Sequence, residues 1–143
     1  MHQVVSLGER RVFTTEEAQH MSRVIFRMTR RYSQNVEQLI QRLESSKDLS
    51  TEAMSKIEND INDMINDWQE KVERLGACPK GLWLVDFDAG DGYYCWKYPE
   101  PEVSHWHRYE DGFTKRVPLE SRKITLPFQE RIRRKILEAT RLR

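Results

Sequence analysis

The sequence predicts an α+β fold: a long antiparallel helical hairpin of coiled-coil type, a small antiparallel β-sheet against one end of it, and a C-terminal helix. Three observations carry this expectation. Two apolar seams with spacings of three and four flank one short polar break, an aromatic-rich tract bounded by turn residues follows, and the last residues return to helical spacing. The 143 residues fit a single domain over 1–143, with the hairpin at 12–76, the aromatic sheet at 81–113 and a basic helix at 127–143. Hydrophobic residues make up 38% and charged residues 33%, with a mean hydropathy of −0.80, which suits long solvent-facing helices better than a compact globule.

The first helix begins at Phe13-Thr14-Thr15-Glu16-Glu17, where Thr14 and Glu17 have the spacing of a capping box. Apolar positions then recur at Ala18, Met21, Ile25, Met28, Tyr32, Val36, Leu39 and Leu43, a narrow seam of the coiled-coil kind. Spanning 15–43, this helix is about 43 Å long at ~1.5 Å per residue. The turn and cap formers of residues 45–51 interrupt it. A second seam follows at Met54, Ile57, Ile61, Met64, Trp68, Val72 and Leu75, and Gly76 and Pro79 end it. Two such seams across a short loop fold back on each other. Pairing Leu43 with Met54 then places Leu39 opposite Ile57, Tyr32 opposite Met64, Met28 opposite Trp68 and Met21 opposite Leu75. The same register brings the ridge Arg23, Arg27 and Arg31 toward Glu70, Asp67 and Asp63. Cross-helix ion pairing is therefore expected there rather than an anion site.

After Pro79 the periodicity changes. Residues 81–87 and 93–99 read as strands joined by the turn at 88–92, and residues 102–109 read as a third strand. Residues 114–127 read as a basic, Pro-interrupted connector. Pro127 suits the first turn of the last helix, whose Phe128, Ile132, Ile136 and Ala139 share one side.

Charge is unevenly spread beneath a formal total of +1. Residues 115–143 hold ten Lys/Arg against three Asp/Glu, whereas residues 44–75 hold four against nine. This balance argues against nucleic acid as a partner, the basic C-terminal helix being the one hint of it. No stretch approaches the roughly 18 apolar residues of a membrane span, and the start of the chain lacks the pattern of a signal peptide. Two cysteines, Cys78 and Cys95, do not make a disulfide framework, so a cytoplasmic setting with reduced thiols is expected.

The chemistry concentrates in YYCWKYPEPEVSHWHRYEDGF, residues 93–113. His105 and His107 alternate onto one face of a strand, Cys95 approaches from its neighbour, and Glu102 or Asp86 completes a donor set. Imidazole, thiolate and carboxylate together suit zinc, although no CxxC or HExxH spacing is present. A Cys95 nucleophile with His107 as base is weaker, because cysteine is commonly buried without reacting. The acidic turn at 86–92 fails as a calcium loop, since Gly90 and Lys97 stand where ligands are needed. Nine aromatics between Trp83 and Phe113 supply either the core of a small sheet or a stacking surface.

Several of these residues also resemble a family. Phe13-Thr14-Thr15-Glu16-Glu17-Ala18, Val85-Asp86-Phe87, Cys95-Trp96, Glu100-Pro101-Glu102-Val103-Ser104-His105-Trp106-His107, Gly112-Phe113 and Arg116 are similar to the motifs of a bacterial family of uncharacterised proteins, domain-of-unknown-function family 2203, over roughly residues 12–118. The turn between Asp86 and Cys95 is shorter than that family's, Pro99 stands for a glycine, and Lys115 replaces the glycine before Arg116. His105 falls where the family is usually aromatic, so the resemblance supports His107 but not the His-x-His pair. It implies no activity, and it singles out Asp86, Cys95, Trp96, Glu102, Trp106, His107 and Arg116 as a shared constellation.

The sequence therefore favours a non-enzymatic interaction or scaffold protein that self-associates through the hairpin, takes a protein partner and presents an aromatic recognition surface. The alternative is a site for a small ligand at Asp86, Trp96, Glu102, Trp106 and Arg116, or for zinc at Cys95, His105 and His107, with hydrolytic or redox chemistry.

Overall fold

The structure is a computed structural model describing residues 11–124. Helix α1 spans Thr15–Ser45 and α2 spans Thr51–Arg74. The capping box forms as expected: the Glu17 N–H donates to Thr14 Oγ1 at 3.1 Å, and the Thr14 N–H donates to Glu17 Oε1 at 3.0 Å. Ser50 caps α2 by accepting from the Ala53 N–H at 3.1 Å. Gly76, at φ 87, turns the chain out of α2 through the left-handed region.

At Trp68 the helices pair close to the anticipated register. The Trp68 indole N–H donates to Thr29 Oγ1 at 2.8 Å, with both side chains fully buried, one residue from the expected Met28–Trp68 partnership. The ion pairs differ from expectation. Arg23 binds Glu102 at 2.6 Å instead of Glu70, and Asp67 is taken by the Tyr32 hydroxyl and by Lys71. Arg27 and Arg31 make no ion pair among the described residues.

Five antiparallel strands follow, in the order β1 (Cys78–Gly81), β2 (Leu84–Asp88), β3 (Tyr93–Lys97), β4 (His105–His107) and β5 (Val117–Pro118). Three strands were expected, and each difference has a local cause. The run 81–87 is broken by a turn at Leu82–Trp83. Trp83 adopts φ 58 and sets its ring edge-on against Trp68 at 5.0 Å, which holds this left-handed residue in place. The strand expected over 102–109 shortens because Val103 is drawn onto α1, its N–H donating to Ser22 Oγ at 3.0 Å. The connector expected at 114–127 supplies a 3₁₀ turn (Phe113–Lys115), strand β5 and the short helix α3 (Leu119–Ile124). The helix expected at 127–143 lies outside the described residues.

Strand alternation divides the sheet between two environments. Val85, Phe87, Tyr94 and Trp96 face the helices and pack with Phe13, Ala18, Ile25, Trp68 and Val72 in one core. Most of the tract's aromatics are thus spent on packing, and of the nine only Tyr109 is exposed. The hairpin's outer half is less complete. Leu39, Ile40, Leu43, Ile61 and Ile65 are only half-buried, since two helices alone cannot enclose a seam. Among the described residues no helix is long and apolar enough to cross a membrane.

Candidate metal centre

The far face of the sheet carries the polar residues. Cys95 pairs with Asp86 on one side and with His105 on the other, and Tyr93 pairs with His107. Asp86 and His107 therefore come from the strands flanking β3, with Cys95 between them. Their ligand atoms all lie within 4.8 Å of one another. Cys95 is 0% exposed, His107 3% and Asp86 4%, so the cluster is withdrawn from water.

Its hydrogen bonds define where protons sit. His107 Nδ1 lies 2.8 Å from the Arg108 carbonyl oxygen, which can only accept, so Nδ1 carries a proton. Nε2 faces Asp86 Oδ2 at 3.1 Å. In a neutral ring with Nδ1 protonated, Nε2 presents a lone pair, and two lone pairs at that distance require a proton or a cation between them. Asp86 Oδ1 is buried and has no hydrogen-bond partner among the described residues. Burial pushes the Cys95 thiol up to about 12, assisted by the Asp86 charge and opposed by the Arg116 guanidinium. Cys95 is thus a neutral thiol and a poor free nucleophile.

Aromatic and charged side chains roof the cluster. Tyr93 packs on His107 with ring centroids 5.6 Å apart and on Tyr109 at 5.0 Å. Arg116 sits over Phe113 at 4.4 Å and donates to Glu100 Oε1 at 2.8 Å. Glu100 Oε1 also accepts the Lys97 backbone N–H at 2.6 Å. Beside this roof His107 lines a cleft of about 500 Å³ with Trp106, Arg108, Asp111, Lys115 and Val117.

The remaining residues expected at the site lie elsewhere. His105, expected as a ligand beside His107, turns to Ser104 Oγ at 2.9 Å and toward Glu100 at 3.6 Å, and it is outside the cluster. Glu102 is on the helix side with Arg23. Trp96 is in the core, its indole N–H donating to the Glu100 carbonyl at 2.8 Å, and Trp106 is half-buried at the cleft. Glu100 is the residue that sequence reasoning passed over. Its spacing to Lys97 carries the only local signal, because its bond to Arg116 spans sixteen residues.

The fold and this centre together define a helical hairpin packed on a five-stranded meander with a buried Asp–Cys–His cluster. The chain belongs to the family described as "Uncharacterized conserved protein (DUF2203)", whose pattern matches residues 11–119. No curated protein and no solved structure matches it.

Proposed function

We propose that the chain is a metal-binding protein that takes one zinc-type divalent ion at Asp86, Cys95 and His107. The observation that carries this reading is the convergence of a buried carboxylate whose Oδ1 has no partner among the described residues, a buried thiol and an imidazole whose other nitrogen is already engaged. An imidazole held through Nδ1, with Nε2 turned toward a second donor, is a common arrangement for a metal ligand. Thiolate, imidazole and carboxylate are zinc's preferred donors, and two anionic ligands balance a divalent charge. Tetrahedral coordination at the usual bond lengths separates such donors by roughly 3.3–3.6 Å. The ligand atoms, within 4.8 Å of one another, then close by about 1.5 Å at most. Three protein ligands leave a fourth position for water or a small anion. No reaction is assigned to the centre.

The test is native mass spectrometry with elemental analysis on protein prepared without a metal-affinity tag or chelator. One ion per chain is expected, lost in Cys95→Ser while the far-ultraviolet circular dichroism is unchanged. Binding should also release protons, from the Cys95 thiol and from the His107–Asp86 contact, visible as buffer-dependent heats of titration with zinc. A protein that stays metal-free after equilibration with zinc overturns the proposal.

A second reading concerns association. The half-buried seam at the outer end of the hairpin, with Met54 38% exposed beside it, supports pairing with a second copy through that end. Sedimentation velocity checks this. A monomer at all concentrations excludes it, and a dimer dispersed by Ile61→Glu supports it.

A further inference from the structure

Arg27 and Arg31 of the arginine ridge on α1 face a groove instead of carboxylates. Val24, Arg27, Met28 and Arg31 from α1 and Met64 and Lys71 from α2 line a concavity of about 570 Å³ between the helices. That volume is in the range of small-ligand pockets. Its floor is apolar, with Val24 42% exposed and Met28 and Met64 half-buried. Its rim holds three cations, and no carboxylate is among the described residues that line it.

The charges are available because the expected cross-helix pairs do not form. Arg23 is held by Glu102. Asp67 is occupied by Tyr32 and Lys71, the ammonium donating to the phenol oxygen at 2.6 Å. Arg27 and Arg31, one turn apart on the same face, keep exposed guanidinium groups with no ion pair among the described residues.

We propose that this groove binds a small amphiphilic carboxylate, with its apolar body along Val24, Met28 and Met64 and its head between Arg27 and Arg31. Guanidinium forks match the two oxygens of a carboxylate. Apolar side chains of α1 and α2 on either side provide the burial that gives affinity, while the cations select for an anionic head. A second copy fits this surface poorly. Two-fold pairing of a patch that carries only cations sets like charges against each other. The site is separate from the Asp86–Cys95–His107 centre, so neither reading depends on the other.

The probes are anilinonaphthalene sulfonate, its uncharged counterpart N-phenyl-1-naphthylamine, decanoate and decyl phosphate. Saturable one-site binding of the sulfonate is expected, displaced by decanoate. The double variant Arg27→Gln/Arg31→Gln should weaken decanoate about tenfold or more and leave the uncharged probe within about twofold. Both arginines are exposed, and an unchanged melting curve establishes that the variant folds. Four outcomes overturn the proposal: no saturable binding, binding insensitive to the double variant, displacement by decyl phosphate but not decanoate, or a dimer that the double variant dissociates.

Discussion

His107 Nε2 and Asp86 Oδ2 stand 3.1 Å apart at the centre of the sheet, on strands separated by β3 and shielded from water. Each is the other's compensation. Removing His107 leaves a buried carboxylate that already has one unsatisfied oxygen. In metal-free protein, His107→Ala should therefore cost about 3–5 kcal/mol in urea unfolding. Asp86→Ala/His107→Ala should cost clearly less than the two single changes combined. Strict additivity would show that the pair is not coupled.

Cys95 gives the fold a dependence on alkaline pH. Its thiol is raised in the folded protein from the ordinary 9.0 to about 12, by burial before all else. The folded state then holds this proton more tightly than the unfolded chain does. The corresponding stability is complete below about pH 9 and is lost as pH climbs through the folded value near 12. Tyr109, lifted from 10.0 to about 12 chiefly by donating to Asp88, acts in the same direction. Comparing wild type with Cys95→Ser between about pH 8 and about pH 10.5 isolates the thiol, and the wild type should lose more stability. Equal losses would mean that Cys95 titrates alike in both states.

Glu100 and Glu102 are two residues apart and should respond very differently. Glu100 is largely buried, accepting from the Lys97 N–H and from Arg116 above the cluster. Glu102 holds Arg23, whose side chain is 57% exposed. Glu100→Gln should cost about 1–3 kcal/mol, because the amide cannot satisfy the same donors with a charge. Glu102→Gln should fall within about 0–1 kcal/mol. Chemical denaturation of the two variants checks the order, and a reversal would place the stabilising contact on the helix side.

What was legible in the sequence was local. The Thr14–Glu17 box, the seams of α1 and α2 and the Gly76 stop depend on residues within a turn or two of one another, so the hairpin and its register follow from spacing alone. The turn at 88–92 is likewise marked by its own residues, Asp88 Oδ1 accepting from the N–H of Gly90, which sits at φ 88. Strands β1 and β5 left no such mark. Residues 78–81 include Pro79, and β5 is two residues that become a strand only by pairing with β4.

The centre divides in the same way. Alternation alone placed His105 and His107 on one face and made Cys95 their neighbour. Only the tertiary structure decided which histidine joins it. In backbone register Cys95 sits opposite His105, yet Glu100 and Ser104 draw that ring away, while Asp86, one strand beyond Cys95, holds His107. The arginine ridge was equally visible as spacing, but whether its charges are neutralised depended on Glu102, some eighty residues along the chain, capturing Arg23. Spacing determines helices and faces because it acts over a few residues. The partners of buried and clustered charges are set by long-range register, where a single competing carboxylate redirects a side chain, and for this protein that competition was resolved only in three dimensions.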